Sequence, residues 1–281
     1  MLRLRRQGNR VRAWVFATAA AAAFAAGPAR AGEAACWFEK GTVVVPAVVA
    51  GVPGDYILDT GAPRTLLHET RAQAEGVEGS ELTGEVLLAG LTVASRPIAV
   101  EAIDAQTFSH PTPIAGVIGV DVLSGFVLDV SYRPCRVTLY PPGGAGAFGG
   151  LTLPMGRLGS LPLAPGSAFD GRTGLRGQWI LSLSQPLAAR LSDGVASAPG
   201  AAKPDELYPG GVWTAELAAL AFAGQVRQGA RAGLLREAQS DGALGALGSP
   251  VLSRWALRFD FPRGRLILKE QGPPPLGDGP R

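Results

Sequence analysis

The sequence predicts an all-β protein made of two similar lobes, and three observations carry that prediction. Short apolar segments rich in Val, Leu and Ala alternate with turns drawn from 39 glycines and 23 prolines, the pattern of many short strands. Residues 245–268 lie on residues 116–139 at a constant offset of 129, sharing Gly-x-apolar-Gly, Val-Leu-Ser, an aromatic, and a final hairpin ending Arg-apolar-x-Leu. Further upstream an offset of 123 sets Tyr56-Ile57-Leu58 on Trp179-Ile180-Leu181. A repeat of whole-domain length means two related units.

Residues 1–31 have the pattern of a secretory signal peptide. Arg3, Arg5, Arg6, Arg10 and Arg12 give a basic start, an alanine-rich apolar run follows, and Ala29-Arg30-Ala31 supplies an Ala-x-Ala cleavage site. The run is short for a membrane span, which needs about 20 residues. An exported protein is expected, periplasmic or secreted, with no stable membrane anchor. Six of the 26 basic residues fall in this leader, so 20 remain against 23 acidic ones. The basic balance of the whole chain therefore belongs to the leader, and no patch argues for nucleic acid. Cys36 and Cys135 are the two cysteines. In an oxidising compartment they can pair, joining the start of the first lobe to its last hairpin; two free buried thiols are the alternative.

The first lobe is expected over residues 36–140. Thr42-Val43-Val44-Val45-Pro46-Ala47-Val48-Val49 is an apolar strand, and a Gly51 to Gly54 turn leads into a second one ending at Leu58. Asp59-Thr60-Gly61-Ala62 follows as a tight loop. Thr60 can hydrogen-bond neighbouring backbone, and Gly61 permits close approach of another segment. A strand ending in an ordinary turn would look the same, and a bare Asp-Thr-Gly arises by chance in a few per cent, roughly, of chains this long. After residues 62–74, a strand with some irregular or helical chain, a hairpin turns at Ala89-Gly90. Val117-Ile118-Gly119, Asp121-Val122-Leu123 and the closing hairpin through Tyr140 complete the lobe.

The loop and the Val117-Ile118-Gly119 element, in this order and spacing, resemble the retropepsin and pepsin class of aspartic proteases, in the bacterial exported form. The resemblance implies retropepsin-like β-barrel lobes. It implies a catalytic Asp59, supported by Thr60, Gly61 and Ala62, whose carboxylate shares a water with a second Asp. It also implies a flap over substrate at the Ala89-Gly90 hairpin. A peptide or protein substrate and no metal or other cofactor go with that chemistry.

Residues 141–150 form a Pro/Gly linker. They formally satisfy the dinucleotide fingerprint G-x-G-x-x-G, but Leu151-Thr152-Leu153-Pro154 stands where a helix is needed. The second lobe spans 151–270, with Leu88, Leu91 and Ala94 set on Leu217, Leu220 and Ala223, and a disordered tail is expected over 271–281. Other enzyme classes lack support. His68-Glu69 begins a zincin motif, but Ala72 occupies the second ligand position, and no Gly-x-Ser-x-Gly elbow exists. His68 and His110 are expected in surface loops. Arg64, Asp121 and Asp129 are expected to be structural, Asp121 as a helix cap.

The repeat contains a defect. It sets Ser182-Leu183-Ser184 opposite Asp59-Thr60-Gly61, so the second lobe lacks the carboxylate. Paired carboxylates share a proton and so provide a base and an acid. Three possibilities follow. Two Asp59 loops from two chains meet in a homodimer, giving an active aspartic endopeptidase, the favoured expectation. Alternatively the lobes pair within one chain and form a catalytically impaired cleft that binds peptides. The third is an interaction protein that keeps only the fold.

Overall fold

The computed structural model describes residues 31–172, 174–192, 206–208, 212–234 and 242–271. The expected leader and tail lie outside them, apart from Ala31 and Gln271.

Each lobe is a closed barrel of six strands in one shared order. In the first, Thr42–Val49, Val52–Leu58, Ile114–Ile118, Thr65–His68, Leu91–Glu101 and Glu81–Leu88 follow one another, and Glu81–Leu88 returns to Thr42–Val49 to close the ring. The second repeats this with Leu161–Phe169, Gly174–Leu181, Gly245–Leu247, Ala189–Leu191, Gln225–Leu234 and Val212–Phe222. Closure removes the open edges that short strands would otherwise expose. Tyr56, Leu58, Leu67, Leu88, Ile98 and Ile118 fill the first barrel without measurable exposure. Trp179 fills the equivalent place of Tyr56 in the second, at the offset of 123.

A third sheet of six strands joins the lobes: Gly32–Ala35, Cys135–Tyr140, Val127–Tyr132, Trp255–Asp260, Arg265–Glu270 and Leu151–Pro154. It too is symmetric, since Gly32 pairs with Leu139 and Leu151 pairs with Leu268. Its two central strands come one from each lobe, with Asp129 directly opposite Arg258. Cys36 and Cys135 form a disulfide that ties the first lobe's start to this sheet. Linker residue Gly146 accepts a hydrogen bond from Arg258 in this sheet.

The two hairpins correspond at an offset of 134. Ala89-Gly90 and Ala223-Gly224 form matching turns, with φ of 54° and 78° in the first and 51° and 78° in the second. The expected pairing of Leu88 and Leu91 with Leu217 and Leu220 is therefore five residues off. Leu88 and Leu91 flank a turn, whereas Leu217 and Leu220 share one strand with a break in pairing between them.

Candidate active site

The Asp59 loop and its counterpart are held by the same backbone device. Asp59 N–H donates to Ile118 O at 3.0 Å, and Ser182 N–H donates to Leu247 O at 3.0 Å. Ile118 and Leu247 are themselves 129 residues apart. Gly119 and Gly248 follow them, and a Cβ there would stand 2.5 Å from Arg64 O or 2.0 Å from Leu187 O. This is why Gly-x-apolar-Gly recurs: the strand must pass against loop backbone that leaves no room for a side chain.

The loops then meet across the lobes. Thr60, fully buried, donates its hydroxyl to Leu181 O at 2.6 Å. Val43 N–H donates to Leu183 O at 3.3 Å, and Ser249 Oγ donates to the same oxygen at 2.8 Å. A Cβ on Gly61 would lie 2.6 Å from Ser182 Cβ. Ala62 supports the loop through its carbonyl, which accepts from Val120 N–H at 2.8 Å.

At the junction Asp59 is 8 % exposed and accepts four hydrogen bonds. Gly61 N–H (2.8 Å), Ser182 Oγ (2.9 Å) and Leu183 N–H (3.1 Å) donate to Oδ1, and Ser184 Oγ donates to Oδ2 at 2.6 Å. Ser182 Oγ in turn accepts from Ser184 N–H and Gln185 N–H. It makes the local turn in its lobe that Asp59 makes through Gly61 in the other. Ser182, which the repeat sets opposite Asp59, thus meets it directly at the lobe junction. Burial pushes the Asp59 carboxyl above its ordinary range, against the pull of Ser184, Gly61, Ser182 and Leu183, which favour the ionised form.

Several expected roles change on this geometry. The face of the Asp59 loop that would receive a second chain's Asp is filled by Ser182, Leu183 and Ser184 of the same chain. The Ala89-Gly90 turn is no flap over Asp59: Ala89 is buried, and a Cβ on Gly32 would be 2.3 Å from its carbonyl, so the turn rests on the joining sheet. His68 is not a surface-loop residue, whereas His110 does lie in a loop. His68 is buried and caps the Glu69–Ala74 helix, its Nδ1 accepting from Thr70 N–H, with Asp104 3.2 Å from Nε2. His110 is half-buried, and its Nε2 lies 2.9 Å from Thr42 Oγ1. Asp121 does not cap the Val120–Leu123 helix but accepts from Thr65 Oγ1 at 2.8 Å. Arg64 pairs with Glu81 at the surface.

Comparison with known proteins agrees with this geometry. An aspartyl protease family model matches residues 45–128, the stretch that carries the Asp59 loop and Gly119. The chain has the aspartic protease fold, and the family-model match falls within its first lobe. Among solved structures, the aspartic proteinase from Irpex lacteus matches with a TM-score of 0.53 and 16 % identity, over 88 % of this chain and 99 % of that one. No curated protein matches in sequence. The aspartic protease fold here places an Asp from one lobe against two serines from the other. Ser184 is the site residue that sequence reasoning did not single out, although the repeat already set it opposite Gly61.

Proposed function

We propose that this protein is an exported member of the aspartic protease fold that holds a peptide or protein segment between its lobes and hydrolyses it poorly or not at all. The family match and the fold support a protease function, and such a function requires a polypeptide to be held between the lobes. The observation that carries the finer proposal is the hydrogen bond from Ser182 Oγ to Asp59 Oδ1.

Hydrolysis by this fold needs one ionised carboxylate to take a proton from water and one protonated carboxyl to give a proton to the carbonyl oxygen. Ser182 and Ser184 can donate hydrogen bonds to Asp59 but cannot act as acids near neutral pH. They also occupy the oxygens through which Asp59 would hold water. The competing proposal, an active site built from two Asp59 loops of two chains, would require displacing the Ser182 loop. It would also break the contact of Thr60 with Leu181 O and set Asp129 against its own copy.

The test is cleavage and binding of a mixed peptide library by the chain from Gly32, in wild-type and Asp59→Asn forms. Retention of peptides by both forms, with the same background cleavage, is expected. Cleavage that disappears with Asp59→Asn would overturn the impaired-site proposal, and failure of either form to retain peptides would overturn the binding role.

A further inference from the structure

The second lobe carries an open cavity of about 240 Å³ between its 212–234 hairpin and residues 250–255. Val226, Pro250 and Val251 give its apolar walls over the buried Leu220, Phe222 and Trp255, with Arg227 and Arg254 in the lining and no carboxylate among the described residues there. Phe222 and Trp255 meet edge to face, with ring centroids 5.6 Å apart. Arg227 Nη1 donates to Pro250 O at 3.1 Å, which fixes that guanidinium and leaves most of its five donors free of this bond.

The pseudo-symmetry makes the cavity specific to one lobe. The matching turns put Val86, Leu88 and Val93 on Leu220, Phe222 and Arg227, while the offset of 129 puts Val122, Gly125 and Phe126 on Val251, Arg254 and Trp255. In the first lobe Val86, Leu88, Val93 and Val122 are all buried and pack that space as ordinary core. In the second, an arginine replaces the buried valine and another replaces the glycine. Barrel packing has no use for either change. Together they exchange apolar filling for a hollow with two cations at it.

We propose that this cavity binds a monocarboxylate with a small aromatic or aliphatic tail. The tail would lie against Val226, Pro250 and Val251, with the edges of Trp255 and Phe222 beneath, and the carboxylate would accept from the guanidinium forks of Arg227 and Arg254. The size fits, since a cavity of about 150 Å³ suffices for a benzene ring, which leaves room for a short chain carrying the acid. The same chemistry is offered by a free organic acid and by the C-terminus of a peptide ending in an apolar residue.

The experiment is calorimetric titration of the full chain with 3-phenylpropionate, its primary amide, and N-acetyl-Gly-Phe. The acid is expected to bind at least about tenfold tighter than the amide, one decade of Kd being about 1.4 kcal/mol. Arg227→Ala with Arg254→Ala is expected to remove that preference. Both arginines are solvent-exposed, so unchanged thermal unfolding of the double variant would show an intact fold. Tighter binding of N-acetyl-Gly-Phe than of 3-phenylpropionate would assign the peptide terminus, and the reverse the free acid. Equal binding of acid and amide, an acid preference that survives both substitutions, or no binding of any probe at millimolar concentration would overturn the proposal.

Discussion

Asp129 and Arg258 face each other on the pseudo-twofold axis that relates the two lobes. They are 129 residues apart, the offset of the repeat itself, and pair directly in the central strands of the joining sheet. Arg258 Nε and Nη2 each donate to the Asp129 carboxylate at 2.6 Å, and the guanidinium lies over the Tyr140 and Phe148 rings. Equivalent positions of the two lobes therefore carry opposite charges. The lobes of one chain complement each other, whereas two first lobes would bring Asp129 against Asp129.

This pair is nearly buried, so removing one partner strands the other. Asp129→Ala or Arg258→Ala is expected to cost about 3–5 kcal/mol in urea unfolding. The exchange Asp129→Arg with Arg258→Asp, which keeps one charge of each sign, is expected to recover part of that loss. Equal stability of the single variant and wild type would remove the pair from any role in joining the lobes.

Gly61→Ala tests the closeness of the two loops. Its Cβ would meet Ser182 Cβ at 2.6 Å and Ser182 Oγ at 3.0 Å, so the loops must separate. The expected loss is about 1–3 kcal/mol, the usual range for overpacking, with the Asp59–Ser182 bond lengthened. An unchanged melting temperature would contradict it.

Asp59 is expected to limit stability at neutral pH. Burial raises its folded-state pKa above the unfolded value of 3.8. Its stabilising contribution is therefore present below the unfolded pKa and lost as pH rises through the folded one. Asp59→Asn is expected to stabilise the protein at pH 7, by about 0.5–2 kcal/mol, with the gain shrinking towards pH 3–4. Denaturant unfolding at several pH values measures this, and a destabilising Asp59→Asn at pH 7 would contradict it.

His110 acts in the opposite direction. Thr42 Oγ1 donates to Glu39 O, so it accepts from a protonated His110 Nε2. Burial holds the imidazole below its ordinary 6.5; Glu39 pulls it up, and Lys40 pushes it further down. The unfolded chain then binds the proton more readily, and stability falls as pH drops through and below about 6.5. His110→Gln is expected to flatten the unfolding free energy between pH 7.5 and 5. An identical slope in both proteins would rule His110 out as its source.

The two-lobe plan was legible because the repeat falls on residues that packing cannot vary. Gly119 and Gly248 are pressed against backbone, and Leu58 and Leu181 end the strands that enter the two loops. The same alignment set Ser182 opposite Asp59, and the structure joins those two atoms. Less constrained positions misled. Leu88 and Leu91 share a spacing with Leu217 and Leu220, yet one pair spans a turn and the other a single strand. Ala89-Gly90 reads as an exposed tip, and only the fold reveals Gly32 packed on it. His68 looks polar in sequence, but its strand and helix bury it beside Asp104. The Asp129–Arg258 pair was implicit in the offset of 129, but opposite charges at matched positions acquire meaning only once the axis passes between them.

Restoring the second-lobe loop tests whether Ser182 occupies the place of a missing second carboxylate. Peptide hydrolysis at mildly acidic pH would be compared between wild type and the variant carrying Ser182→Asp, Leu183→Thr and Ser184→Gly, which rebuilds Asp-Thr-Gly in the second lobe. Background turnover is expected in wild type and at least about 10²-fold more in the variant, independent of protein concentration and lost on adding Asp59→Asn. Wild-type hydrolysis that depends on Asp59 and matches the rebuilt variant would contradict it.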